Sequence, residues 1–210
     1  MAIPSAALAY RRSALMASTK VTTKPPSAEV LRARDDFKDF CVYMGKPPAK
    51  HMMEWHAELC TGTDSECLDG IAGPNTAILA PRGSAKSTVL GLFAAWMIGR
   101  HTANKKMLRI LYIAYMVDIS RAKSATIKGI LTSNKYREVF PMVRLSKIKR
   151  SDEYWSIDYD FAGIDTAGEE AFTIACGGLK GAITSKRSQL VLIDDPIKSA
   201  ASINNPDIRR

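Results

Sequence analysis

The run from Ala80 to Thr88, Ala-Pro-Arg-Gly-Ser-Ala-Lys-Ser-Thr, is the part of this chain best suited to chemistry. It follows a short apolar segment and precedes residues 89–98, which favour a helix. A tight loop between a strand and a helix turns backbone N–H groups toward an anion, while a lysine reaches the outer phosphates and a hydroxyl binds Mg²⁺. We therefore expect Lys86 to contact the β- and γ-phosphates and Ser87 to bind the metal.

The loop departs from the usual spacing G-x-x-x-x-G-K-[ST], because Ala80 and Ala85 stand where glycines are expected. Only Gly83 remains to relax the turn. Taken alone, such a degenerate loop is also compatible with a chance match, so the interpretation needs a second motif.

The second motif is the run from Leu190 to Pro196, Leu-Val-Leu-Ile-Asp-Asp-Pro. Its apolar part is typical of a buried parallel strand, and the acids that follow would lie where open α/β sheets bind ligands. An ATPase with such a phosphate-binding loop needs one carboxylate near Mg²⁺ and another to activate the attacking water. We assign these roles to Asp194 and Asp195, respectively. The alternative is a simple Asp-Asp-Pro turn after a strand, which the co-occurring lysine loop disfavours.

Composition and charge narrow the possible partners. The chain has 210 residues, 46% of them hydrophobic, and no apolar run approaches membrane-spanning length. Its net charge is +9, and residues 121–150 hold nine bases against one acid, Glu138. This concentration predicts a surface that contacts nucleic-acid phosphates without sequence preference and in a salt-dependent manner. A solvated helix face in a basic protein is the alternative.

The four cysteines do not suggest a disulfide framework, and a reducing compartment fits best. A zinc site could be drawn from four residues, but their spacing matches no common zinc finger. Packing of His56 and Cys60 against the core is the favoured alternative. The four residues are His51, His56, Cys60 and Cys67.

Three parts of the chain differ in character. Residues 1–28 contain no acid and are predicted to form a flexible arm, although their composition also resembles an organellar transit peptide. Residues 29–75 are predicted to be helical, with helices over 28–44 and 50–60 and Ser27 as a cap. Residues 76–210 are predicted to form the core that carries both motifs.

Strands alternate with helices in this core, which predicts an α/β fold with a parallel sheet. The predicted strands are 76–79, 108–115, 154–160, 171–176 and the acid strand from Leu190. Asp118 is expected to cap a helix that continues to about Leu131.

The two motifs resemble those of the large terminase subunits of tailed bacteriophages, in their N-terminal packaging ATPase domain. The resemblance rests on Pro81–Thr88, with Arg82 four residues before the lysine, and on residues 181–187 leading into the acid strand. It covers roughly residues 50–210. It implies a P-loop NTPase fold (ASCE, RecA-like) with a mostly parallel central sheet flanked by helices.

The resemblance also implies functions for particular residues. The loop from Pro81 to Thr88 would bind ATP, with Arg82 contacting the γ-phosphate, Asp194 and Ser87 binding Mg²⁺ and Asp195 polarising water. Trp55 or His56 would contact adenine, and Trp55 as an ordinary core residue is the alternative. The individual loop positions are Pro81, Arg82, Gly83, Ser84, Ala85, Lys86, Ser87 and Thr88.

At the level of the assembly, the resemblance implies an ATPase motor that drives double-stranded DNA into a procapsid in the host cytoplasm. Expected partners are DNA, further copies in a ring, a portal protein and a small terminase subunit. An arginine from a neighbouring copy could accelerate hydrolysis. Arg187, Lys186 and the basic segment are the candidates, with an ordinary exposed charge as the alternative for Arg187.

Two departures from the family pattern stand out. The acid pair is Asp-Asp where many such ATPases have Asp-Glu. The coupling motif and the nuclease domain would lie beyond Arg210, so no DNA cleavage is expected of this chain. The alternatives are a nucleotide- or DNA-binding fragment without turnover, or another nucleic-acid-stimulated P-loop ATPase.

Overall fold

The computed structural model describes residues 25–60, 75–179 and 187–197. Its helices are α1 (Ala28–Asp35), α2 (Phe37–Tyr43), a 3₁₀ turn (Lys50–Met52), α3 (Met53–Cys60), α4 (Lys86–Ala103), α5 (Val117–Thr132), α6 (Asn134–Val139) and α7 (Tyr159–Ala162). Its strands are β1 (Ile110–Ala114), β2 (Leu145–Arg150), β3 (Tyr154–Ile157), β4 (Ile174–Gly178) and β5 (Leu190–Asp194). The chain is therefore of the α/β class.

The five strands form one sheet in the order β2-β3-β4-β1-β5. β1 runs parallel to both β4 and β5, whereas β3 is antiparallel to β2 and to β4. The sheet is therefore mixed, and the prediction of a mostly parallel sheet is corrected. β2 and β3 are joined by only three residues, 151–153, and a connection this short can only join antiparallel strands.

The predicted strand at 76–79 is absent, since residues 75–81 have no regular secondary structure. Leu79 is 96% exposed there. In the described part of the sheet β5 is an edge strand, and an extended segment becomes a strand only when its N–H and C=O groups pair with a neighbour. Residue composition alone could not reveal that this pairing is missing.

The predicted helix over 28–44 is two helices. Ser27 caps α1 as expected, its Oγ accepting from Val30 N at 3.3 Å. Asp36 then adopts an extended conformation, and its carboxylate caps α2 by accepting from Asp39 N at 2.8 Å. Aspartate competes for nearby backbone N–H groups in this way, which favours a new helix start over continuation.

Helix α5 begins one residue before the predicted cap. Met116 is its N-cap residue and makes no side-chain capping bond. Asp118 lies inside the first turn and pairs with Arg121 at 2.8 Å, so the prediction that it caps the helix is wrong. A carboxylate in the first turn still favours the helix through its dipole.

The helices and the sheet share one hydrophobic core, in which Trp96 of α4 is central. Its Nε1 donates to Ala33 O of α1 at 3.2 Å, and Tyr136 OH donates to Ala95 O at 2.8 Å. These bonds satisfy polar groups that burial would otherwise leave unpaired. A smaller cluster on the other face of the sheet contains Leu111, Ile113, Phe172 and Ala175.

None of the helices in the described ranges is both long and apolar enough to cross a lipid bilayer.

Candidate functional site

The loop before α4 is a tight turn built on two residues with positive φ. Gly83 has φ +82° and Ala85 has φ +62°. Glycine adopts such angles freely, whereas alanine in the left-handed region is strained by its Cβ. Ser84 Oγ donates to Pro81 O at 2.7 Å across the turn. No side chain in the described structure caps α4, so its first N–H groups remain open to an anion.

Lys86, the first residue of α4, folds back over this loop. Its Nζ donates to Ala80 O at 2.9 Å and to Pro81 O at 3.2 Å. The same nitrogen lies 3.8 Å from Oδ1 of Asp195. The lysine of the first motif is thus in contact with the second acid of the other motif.

Asp194 is the buried carboxylate of the site, only 3% exposed at the end of β5. Ser87 Oγ donates to its Oδ1 at 3.0 Å, and Tyr112 OH donates to its Oδ2 at 3.1 Å. Each carboxylate oxygen therefore has a hydroxyl donor, which offsets the cost of burying the charge.

Tyr112 is suited to this role because its hydroxyl remains protonated. Burial, followed by the charge of Asp194, raises the pKa of Tyr112 far above its ordinary value. The phenol therefore acts as a donor at any physiological pH. Tyr112 lies in β1 directly beside Leu192 of β5, and sequence inspection did not identify it.

Asp195 directly follows β5 and has φ +44°. Its side chain is 66% exposed, in contrast to the buried Asp194. Aspartate tolerates the left-handed region better than most residues because its short side chain can bond locally. One acid is thus enclosed and hydroxyl-bonded while its neighbour faces an open cleft.

The cleft between the loop and the start of α5 has a volume of about 550 Å³. The predicted phosphate loop supplies much of its lining, and Asp195 supplies a carboxylate. A second cavity of about 410 Å³ adjoins it and shares Ser87, Thr88 and Lys123 with the cleft. The loop residues that line the cleft are Arg82, Gly83, Ser84, Ala85, Lys86, Ser87 and Thr88.

Pro81 contributes its carbonyl, which accepts from Lys86, but its side chain is not part of the cleft lining. The predicted adenine contacts lie elsewhere. His56 is buried and stacks on Phe37 with ring centroids 4.5 Å apart, and Trp55 packs at the edge of the core. Neither lines the cleft or the adjoining cavity, which agrees with the core-packing alternative for both.

The oxygen atoms at the site fit magnesium chemistry. Mg²⁺ is usually held by one or two carboxylates together with water and substrate phosphates. Asp194 and Ser87 offer a carboxylate and a hydroxyl oxygen within 3.0 Å of each other. A site made in this way would be completed by a ligand's phosphates and is not a closed protein cage.

The zinc alternative finds no support in the described residues, where no group of three or more His, Cys, Asp or Glu side chains could hold a metal. Cys60 packs partly buried against the core, as expected. Cys67 lies outside the described residues.

The basic segment 121–150 forms α5, α6 and β2, so it is not one helix face. Some of its bases are engaged within the chain. Arg121 pairs with Asp118 and Glu153, and Lys128 with Asp152. Arg187 is exposed, whereas Lys186 and most of its loop lie outside the described residues.

In comparisons with known proteins, no family model, no curated protein and no solved structure matches this chain.

Proposed function

We propose that the cleft binds a magnesium nucleoside triphosphate, ATP by the motif chemistry, and hydrolyses its terminal phosphate. The observation that carries this proposal is the 3.0 Å bond between Ser87 Oγ and Asp194 Oδ1. It joins residues 107 positions apart in the chain, each from a different phosphate-chemistry motif. The 3.8 Å approach of Lys86 to Asp195 supports it independently.

Each residue has a defined task in this proposal. The open N–H groups of α4 and the Lys86 ammonium would bind the phosphates, and Ser87 and Asp194 would hold the metal. The bound Mg²⁺ would neutralise charge on the phosphate oxygens. Asp195, exposed to the cleft, accepts a proton from the water that attacks the γ-phosphorus. The bond to the β,γ-bridging oxygen breaks, which releases ADP and phosphate.

The size of the site favours a nucleotide over inorganic phosphate. The cleft and its neighbour have volumes of about 550 and 410 Å³, far more than one phosphate needs. The second cavity is lined by Met44, Leu92 and Ile130 among others. An apolar cavity beside an anion-binding loop suits a ligand that joins a ring system to phosphates.

For the biological role we propose a motor ATPase of the terminase kind, acting on double-stranded DNA. The support is the resemblance of the two motifs and the excess of positive charge in residues 121–150. Assembly into a ring, with portal and small terminase subunits as partners, follows from the same resemblance. A neighbour's arginine can contribute ~10³–10⁵ in rate, so the isolated subunit is expected to hydrolyse slowly.

Two substitutions test the chemistry. Lys86→Ala should abolish measurable ATP binding, because the loop loses its phosphate-binding charge. Asp195→Asn should leave binding within about threefold and lower kcat by ~10²–10⁴, as loss of a general base does. Asparagine tolerates positive φ, so this variant retains the backbone. Calorimetric ATP titration and a steady-state phosphate-release assay measure the two effects.

Asp160→Asn and Lys147→Ala are matched controls, because both side chains are exposed and neither lines the cleft. An Asp195→Asn protein with the parent's turnover would remove Asp195 from its role. Binding of ATP by the parent with no turnover, with and without DNA, would instead support a nucleotide-binding module.

A further inference from the structure

Lys123 is part of the basic segment 121–150 in the sequence, but in the fold its side chain lines the candidate cleft. It lies on α5 between Arg121 and Lys128, and both of those residues are tied to carboxylates. Arg121 pairs with Asp118 and Glu153, and Lys128 lies 2.8 Å from Asp152. Lys128 also donates to Arg150 O at 2.7 Å and to Ser151 O at 2.8 Å.

Lys123 instead lines the cleft. Ile119, Lys123, Thr126 and Ile130 follow one another at spacings of four, three and four residues, which places them on one face of the helix. Ile119 lines the cleft, Thr126 and Ile130 line the adjoining cavity, and Lys123 lines both. The lysine therefore stands at the junction of the two spaces, opposite the phosphate loop.

The charge around Lys123 leaves it available for an anion. Lys86 already has Asp195 as a partner at 3.8 Å, whereas no described carboxylate forms an ion pair with Lys123. Among the described cleft-lining residues, three carry positive charge and only Asp195 carries negative charge. The positive residues are Arg82, Lys86 and Lys123. An excess of positive over negative side chains lining a cleft favours a polyanionic ligand.

We propose that Lys123 is a phosphate-contact residue of the nucleotide cleft, reaching the ligand from α5 on the side opposite the loop. This assignment rests on the proposed function, because it needs the cleft to bind a polyphosphate. It also removes Lys123 from the surface assigned to DNA. Thr88 and Lys123 both line the cleft and the adjoining cavity. The proposed contact would therefore lie where the phosphates of a bound nucleotide meet the rest of the ligand.

The test compares charge removal at Lys123 with charge removal elsewhere in the basic segment. Binding of ATP, of tripolyphosphate and of a double-stranded DNA fragment is measured for the parent and four variants: K123Q, K123M, K123R and K147Q. Lys147 is the matched control because it is exposed in β2 and lines neither cavity. K123M guards against a folding defect specific to glutamine, and thermal unfolding of each variant identifies misfolding.

K123Q and K123M should weaken ATP and tripolyphosphate binding by about 10- to 100-fold, the range expected for a lost charge-assisted hydrogen bond. K123R should bind ATP and tripolyphosphate within about threefold of the parent's affinity, because it keeps the positive charge. K147Q should bind these two ligands as tightly as the parent does. DNA binding should be no weaker for K123Q than for K147Q. If Lys123 were needed only for packing, arginine would not restore ligand binding while both neutral variants lose it.

Two negative outcomes are distinguishable. If the parent binds ATP and tripolyphosphate and folded K123Q and K123M bind them equally well, Lys123 is not a phosphate contact and only this assignment falls. If the parent binds neither ligand, the proposed function falls and takes this assignment with it. Loss of DNA binding by K123Q with unchanged ATP binding would return Lys123 to the DNA surface.

Discussion

At the scale of single residues, the site depends on how Asp194 is held. The carboxylate is buried, and its two oxygens accept from Ser87 and Tyr112 at 3.0 and 3.1 Å. If a bound metal displaced the hydrogen bond from Ser87, the hydrogen bond from Tyr112 would still orient the Asp194 carboxylate. Side chains that orient a metal ligand usually affect metal affinity by about 10- to 100-fold.

Tyr112→Phe tests this positioning role. We expect Mg²⁺-dependent ATP binding to weaken by about tenfold, because the Asp194 carboxylate loses its fixed orientation. We also expect stability to fall by ~1–3 kcal/mol, since a buried acceptor loses its donor. Magnesium titrations of nucleotide binding and urea unfolding measure the two effects.

Tyr136→Phe is the control for that experiment. Its hydroxyl is equally buried and donates to Ala95 O at 2.8 Å in the core, so it should lower stability without changing the magnesium dependence. Equal magnesium dependence in both variants would contradict a positioning role for Tyr112.

At the scale of elements, α4 connects the predicted phosphate loop to the core. Twelve of its 18 residues are buried, so the loop at its N-terminus rests on a rigid support. Gly99 lies where α4 meets Phe140, and a Cβ at this position would overlap the Phe140 ring. The close approach of an aromatic ring explains a glycine inside a helix, where it otherwise costs about 1 kcal/mol relative to alanine.

Gly99→Ala should therefore destabilise the protein despite its better helix propensity. Overpacking a core costs ~1–3 kcal/mol, which exceeds the gain in propensity. Gly129 of α5 is the matched control, because nothing lies within 4 Å of its Cβ position. Gly129→Ala should stabilise the protein by ~0.5–1 kcal/mol. Denaturant unfolding of both variants decides, and a stabilising Gly99→Ala would contradict the packing described.

At the scale of the whole molecule, helices α1 to α3 and the sheet are parts of one core. Phe37 of α2 stacks on His56 of α3 and meets Trp96 of α4 with ring centroids 5.4 Å apart. The helices that precede the predicted phosphate loop are therefore joined to α4 and the sheet by shared packing. Its stability should respond as one cooperative unit.

The pH dependence of that unit should reflect His101. Burial lowers the pKa of His101 from 6.5 to about 4, so the folded protein keeps this side chain neutral while the unfolded chain can protonate it. The stability that neutral His101 provides is fully present above pH 6.5 and is lost as the pH falls toward 4. The free energy of unfolding should fall by roughly 3 kcal/mol over this range. Burial lowers the pKa of His56 as well, with the same sign.

His101→Gln should flatten this part of the stability profile. Urea unfolding at several pH values between 7 and 4 would measure the difference between parent and variant. Carboxylates titrate in both proteins and cancel in the comparison, as does His56. Parallel profiles for the two proteins would show that His101 is not responsible.

The local parts of the fold were predictable from sequence because they depend on nearby residues. Strands β1 and β5 were expected near their observed bounds, since an unbroken apolar run indicates a buried strand. The apolar run 89–98 predicted the middle of α4 but not its full extent, Lys86–Ala103. The left-handed turn at Gly83 and the cap at Ser27 also depend on residues within a few positions. Helix ends were less predictable, because Asp36 and Asp118 were each capable of more than one local bond.

Residue types and their spacing along the chain were enough to predict which residues could bind phosphate and supply carboxylates, because both are local properties. The three-dimensional structure was needed to show that residues 76–79 pair with no strand of the described sheet, and that β2 and β3 make the sheet mixed. It also decided that Tyr112 bonds Asp194 and that Lys123 faces the cleft. Those relations depend on which strand lies beside which and which helix face turns inward, and such long-range contacts leave no mark on the spacing of residues along the chain.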